Sequence, residues 1–109
     1  PETVNLATLN PRAAMLSAWI EIEAALKNLA QKHNLLDTQT QRNPSALVRV
    51  LAKANIIPKS HAPGFSALYR LRNQAAHDME FNPSEEATLG YLEIAEELKQ
   101  LVLQADHAR

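Results

Sequence analysis

Along residues 11–33 the side chains of Met15, Trp19, Ile22, Leu26, Leu29 and His33 follow Pro11 with successive spacings of 4, 4, 3, 4, 3 and 4. That is the period of one face of an α-helix, and a stripe this long must be covered by other elements. Residues 83–105 repeat the pattern with Ala87, Tyr91, Ile94, Leu98, Leu101 and Ala105. The two long helices are expected to pair antiparallel. Between them, residues 44–54 read as a short helix with Leu47, Val50, Leu51 and Ala54 inward, ended by Ile56-Ile57-Pro58. Pro63 opens a further helix over residues 64–77, with Phe65, Leu68, Leu71 and Ala75 on its apolar side. No segment alternates with period two, so no sheet is expected. The fold expected is all-α: an up-and-down four-helix bundle of two long and two short helices. Residues 39–43 and 59–63 are expected to be loops.

Three Asn-Pro pairs, at Asn10-Pro11, Asn43-Pro44 and Asn82-Pro83, precede these segments. An Asn side chain accepts from the free amides of a first helical turn, and Pro suits the first position because its missing N–H would have had no partner there. Glu85, three residues after Asn82, would complete a capping box.

At 109 residues the chain is expected to be one domain, with its core over about residues 10–105. A content of 46% hydrophobic and 21% charged residues excludes a disordered chain. The absence of Cys excludes disulfides and thiolate metal sites. With no long apolar run and no leader of the signal-peptide kind, the expected setting is cytoplasmic, without membrane contact from this segment. Pro1 is not an initiator residue, so a piece excised from a longer protein is expected, which leaves room for an anchor or a fused partner domain outside it.

The net charge of −1 conceals a segregation. Residues 1–37 carry −1. Residues 38–77 contain no Asp or Glu and carry +6, from Arg42, Arg49, Lys53, Lys59, Arg70 and Arg72. Residues 78–109 carry −6. Two arrangements account for this: basic and acidic faces that pair within the fold, or a basic face kept for a polyanion.

The hexad Arg72-Asn73-Gln74-Ala75-Ala76-His77 ends the third of the four expected helices. At about 100° per residue, Ser66, Arg70, Asn73 and His77 share a side away from Leu68, Leu71 and Ala75. Asn73 and His77, four apart, can touch, and the amide can orient the imidazole. Arg72 lies about 140° from His77 on a regular helix. The pair therefore converges only if the helix frays or kinks, or if a two-fold mate supplies the counterpart across a self-complementary interface.

Arg-Asn-x-x-x-His at the end of the penultimate helix of a four-helix bundle resembles the HEPN family (higher eukaryotes and prokaryotes nucleotide-binding). The opening Pro11-Arg12-Ala13-Ala14, the run Ala18-Trp19-Ile20-Glu21-Ile22-Glu23, the approach from Leu68 to Arg72 and the long last helix extend the likeness over about residues 10–105. The resemblance implies metal-independent RNA cleavage, in which the ribose 2′-hydroxyl attacks the adjacent phosphorus, at a composite site in a homodimer. On that basis His77 is the general base or acid. Arg72 steadies the phosphate charge, and Asn73 orients His77 or holds a phosphate oxygen. Arg70, Lys53, Lys59 and His61 are the residues expected to guide RNA. No metal and no cofactor are expected, since His33, His61, His77 and His107 share no ligand spacing. The resemblance equally admits a non-catalytic dimerisation, regulatory or nucleotide-binding module of a larger protein. Roles in toxin–antitoxin systems or defence, with an antitoxin-like partner, belong to the same resemblance. Trp19 belongs to the core stripe rather than to a base-stacking platform, and His33 to a helix end rather than to a ligand set.

Overall fold

The computed structural model describes residues 10–107, and all regular structure among them is helical. We number the α-helices α1 (Pro11–Lys32), α2 (Thr38–Arg42), α3 (Pro44–Lys53), α4 (Ala62–His77) and α5 (Glu85–His107). A 3-10 turn at Lys59–His61 leads into α4.

Two of the three Asn-Pro starts form as expected. Asn10 Oδ1 accepts from Ala13 N at 3.1 Å, and Asn43 Oδ1 from Ser45 N and Ala46 N at 3.1 and 3.2 Å. The third does not. Helix α5 begins at Glu85 with Ser84 as its cap: Ser84 Oγ accepts from Ala87 N at 3.0 Å and its carbonyl from Thr88 N at 2.9 Å. A hydroxyl two residues nearer the helix takes the place of Asn82, and the box with Glu85 is not made. Residues 39–43, expected as a loop, lie mostly within the turn α2. There Asp37 accepts from Thr40 N at 2.8 Å while Thr40 Oγ1 accepts from Asp37 N at 2.8 Å, a reciprocal cap that also buries Thr40. The Thr40 amide holds the Asp37 carboxyl below its ordinary range. The expected loop at 59–63 is likewise ordered, as the 3-10 turn and the first residues of α4.

Helices α1 and α3 end alike. Asn34 and Asn55 take positive φ of 59° and 60°, and the next amides, of Leu35 and Ile56, reach back to Ala30 O at 2.8 Å and Leu51 O at 3.0 Å. Asn tolerates the left-handed region where a helix must stop, and the returning amide satisfies a terminal carbonyl.

In α1, Met15, Trp19, Ile22, Leu26 and Leu29 are buried as the stripe requires. Trp19 belongs to the core, its ring 5.2 Å from that of Tyr69 on α4. His33 is the helix C-cap. In α5 Tyr91 and Leu98 are buried as expected, but Thr88, Ala95 and Val102 complete the inward stripe in place of Ala87 and Ile94. Ala87 is exposed and Ile94 is 48% exposed. Thr88 can turn inward because its hydroxyl donates to Ser84 O at 2.8 Å. Ala54, expected inward, is exposed past the end of α3.

The direction of the long helices departs from expectation. Lys99 Nζ meets Glu21 Oε1 at 2.9 Å and Lys32 Nζ meets Asp106 Oδ1 at 3.1 Å, while Arg12 reaches the loop before α5. Position thus advances together along α1 and α5, so they run parallel, not antiparallel. The return run is α4. It opposes α1, through Trp19 beside Tyr69 and Arg12 bonded to Ala75 O, and it opposes α5, through the Tyr91 hydroxyl donating to Leu68 O at 3.1 Å. Residues 34–61, wound into short elements, leave the chain where α4 can run back along α1.

Gly90 sits exposed within α5, and a Cβ built there meets nothing within 4 Å. Gly90→Ala is expected to raise unfolding stability by about 0.8–1 kcal/mol through helix propensity alone. An unchanged urea midpoint would show that the position is not held as helix.

Candidate functional site

Helix α4 is helical through His77, and the Asp78 amide closes its last turn on Gln74 O at 2.9 Å. The end is held from outside by Arg12. Its Nη1 donates to Ala75 O at 3.1 Å, its Nε and Nη2 to Phe81 O at 3.1 and 2.8 Å, and Nη2 also to Asp78 O. One planar fork therefore ties the end of the hexad helix to the loop beyond it, and places positive charge at the negative end of the helix.

Within the hexad, Arg72 Nη1 donates to Asn73 Oδ1 at 3.0 Å. Both side chains are half-buried, while His77 is exposed. The Asn73 carbonyl oxygen thus engages Arg72, whereas helical spacing alone suggests His77 as its neighbour. Arg72 also lies near Tyr91 of α5. Burial pushes the Tyr91 hydroxyl well above its ordinary range, and the Arg72 charge opposes this to a smaller extent. Asp78 and Glu80 follow the hexad and are exposed.

Two of the four residues expected to guide RNA, Lys53 and Lys59, line one groove of about 480 Å³ between α3 and the start of α4. Its floor is apolar, from Val48, Ala52 and Ala62, and its rim is cationic, from Arg49, Lys53 and Lys59. Ser45 and Ser66 add hydroxyls, and no carboxylate lines it. Arg70 is exposed one helical turn beyond Ser66 on α4. His61 is half-buried in the 3-10 turn, its Nδ1 3.5 Å from Ser60 Oγ, and does not line the groove. Along the chain Arg49 is marked only by its charge, and its place on the rim depends on how α3 packs against α4. The sequence marks Arg12 only as part of a helix opening, because its partners are distant in sequence and leave no local signal.

The ion pairs decide how the segregated charges are used. Those formed among the described residues are Lys27–Glu23, Lys32–Asp106, Lys99–Glu21 and Lys99–Glu96, all on α1 and α5. None involves Arg42, Arg49, Lys53, Lys59, Arg70 or Arg72. The basic segment is not neutralised by the acidic one. A second groove, of about 580 Å³ at the start of α5, is lined by Glu85, Glu86 and Glu93 with Leu89 and Gly90.

Among the described residues no group of three His, Cys, Asp or Glu is placed to hold a metal ion, and no helix is long and apolar enough to cross a membrane. Compared with family models, curated proteins and solved structures, the chain matches none of them.

Proposed function

We propose that this is a HEPN-like domain that cleaves RNA without a metal ion, at a composite site formed where two copies bring their α4 helices together. In this reading the short α3 is the fourth member of a four-helix bundle with α1, α4 and α5. The observation that carries it is the state of α4: helical through His77, with Arg72 joined to Asn73, His77 exposed, and the basic residues of its outer face free of carboxylate partners among the described residues.

A single chain supplies one imidazole at this place, whereas transesterification needs a proton taken and a proton given. Two copies related by a two-fold axis supply both. One His77 accepts the proton of the ribose 2′-hydroxyl as that oxygen bonds to phosphorus. The partner copy's equivalent imidazole, protonated, gives its proton to the 5′-oxygen as the P–O bond breaks. The products are a 2′,3′-cyclic phosphate and a free 5′-hydroxyl. Arg72 offers paired N–H donors to the non-bridging oxygens of the phosphate, and Asn73 keeps its guanidinium from swinging away.

A second reading, a non-catalytic dimerisation or regulatory module, is favoured by the placement of Arg72 beside Tyr91 of its own chain and by the exposed Asp78 and Glu80 next to His77. One experiment separates the two. Purified chain is expected to degrade unstructured RNA in EDTA, leaving cyclic phosphate ends, and to sediment as a dimer. A dimer that leaves RNA intact favours the second reading, and a monomer at every concentration overturns the composite site of the first and the dimerisation of the second.

A further inference from the structure

The helix that ends in the hexad forms, at its start, one wall of the basic groove. Ser66, at the groove, is followed on the same side of α4 by Arg70, Asn73 and His77, and Ser66, Arg70 and His77 are exposed. At 1.5 Å per residue the span from Ser66 to His77 is about 16 Å. Beyond Ser66 the face opens into the groove, with its apolar floor and the rim of Arg49, Lys53 and Lys59. At the other end the surface is acidic, from Asp78 and Glu80 to the groove of Glu85, Glu86 and Glu93.

We infer that a single RNA strand leaves the hexad in one direction only, along the exposed face of α4 and into the groove between α3 and α4. Phosphates lie against Arg70 and the cationic rim, and bases rest on Val48, Ala52 and Ala62. The charge gradient sets the direction: a polyanion is attracted toward the rim and repelled from the start of α5. Only unpaired bases can turn their faces onto an apolar floor, so a single strand fits the groove better than a duplex. That the polyanion is RNA rests on the function proposed above; the path itself rests on the groove and the charges.

Binding is read apart from cleavage with a labelled 2′-O-methyl oligouridylate of roughly a dozen nucleotides, which has no 2′-hydroxyl to react. In fluorescence anisotropy, the full chain carrying Arg49→Gln, Lys53→Gln and Lys59→Gln is expected to bind at least about tenfold more weakly at low salt. The slope of log K against log salt should become shallower by about 2, the value for three lost phosphate contacts on a single strand. All three positions are exposed, and circular dichroism checks that the variant is folded. The double variant Lys53→Gln with Lys59→Gln should give an intermediate slope. Neutralising Glu85, Glu86 and Glu93 to Gln should tighten binding. An unchanged affinity and slope in the triple variant overturns the path. So does loss of binding on neutralising the acidic groove, which would put the strand at the other end. Competition by polyglutamate as strong as by unlabelled RNA overturns the assignment to a nucleic acid. RNA cleavage that survives His77→Ala sinks the hexad reading separately and leaves the anisotropy result standing.

Discussion

Arg12→Ala is expected to lower unfolding stability by about 3 kcal/mol, the largest loss for any polar side chain in the described fold. The reason is concentration: one guanidinium donates to carbonyls of Ala75, Asp78 and Phe81, the first belonging to the end of α4 and the others to the connection into α5. Truncation removes all of these charge-assisted bonds together and leaves part-buried carbonyls without their donor. Against a total stability of about 5–15 kcal/mol for a domain of this size, the loss is a large fraction. Arg12→Lys should recover little, since a single ammonium cannot span carbonyls that the planar fork reaches from three nitrogens. Urea denaturation reads both variants, and a midpoint for Arg12→Ala close to that of the parent chain would show that water replaces the fork at no cost. The same substitution should speed amide exchange at Gln74–Asp78 more than in the middle of α1, because the end of α4 loses its outside restraint.

Arg12 also marks the limit of what local sequence can tell. The helices were legible where one short-range interaction decides them: Asn10 and Asn43 cap the helices they precede, and the period of Met15, Trp19, Ile22, Leu26 and Leu29 puts those residues in the core. Where two local candidates compete, the closer one wins. Ser84 takes the cap from Asn82, and with its carbonyl engaging Thr88 the buried face of α5 turns away from Ala87 and Ile94. The stops at Asn34 and Asn55 were readable in principle, as an Asn between a helical run and an apolar residue whose amide turns back. The relative direction of α1 and α5 was not. It depends on the path of residues 34–61, where α2 and the 3-10 turn make order from sequences that read as loops. The hexad stood out by residue type alone, but its use of Asn73 to hold Arg72, and the nearness of Arg72 to Tyr91, are consequences of packing between α4 and α5.

The charge pattern shows the same division. Counting along the chain isolates a basic middle and an acidic end but leaves open whether they pair. The fold decides it by topology. Parallel packing of α1 against α5 gives the acidic helix the lysines and carboxylates of α1 and its own turns as ion-pair partners, and α3 and the outer face of α4 keep their cations for something else. On the proposed function, RNA is steered toward that basic face, and its association slows as salt rises.

His77→Ala is expected to reduce RNA cleavage by about 10²–10⁴-fold, the usual contribution of a positioned acid or base, with little change in stability because the side chain is exposed. The loss alone does not separate a composite site from one contained in each chain, but mixing does. If each cleavage uses His77 from both copies, only dimers of two parent chains are fully active. Random exchange with the variant then lowers activity as the square of the parent fraction, to about a quarter at equal mixing. If each chain carries a complete site, activity falls in proportion, to about a half. Exchange is driven by dilution below the dimer dissociation constant and reconcentration, and the activity is followed across the mixing range with RNA in EDTA. A curved dependence supports the composite site, and a straight line sinks it even if both His77→Ala and Arg72→Ala abolish cleavage. On the proposed function each chain brings one His77 to the end of α4, with Arg72 about 140° away around the helix axis, so the second proton-transfer group comes from the other copy.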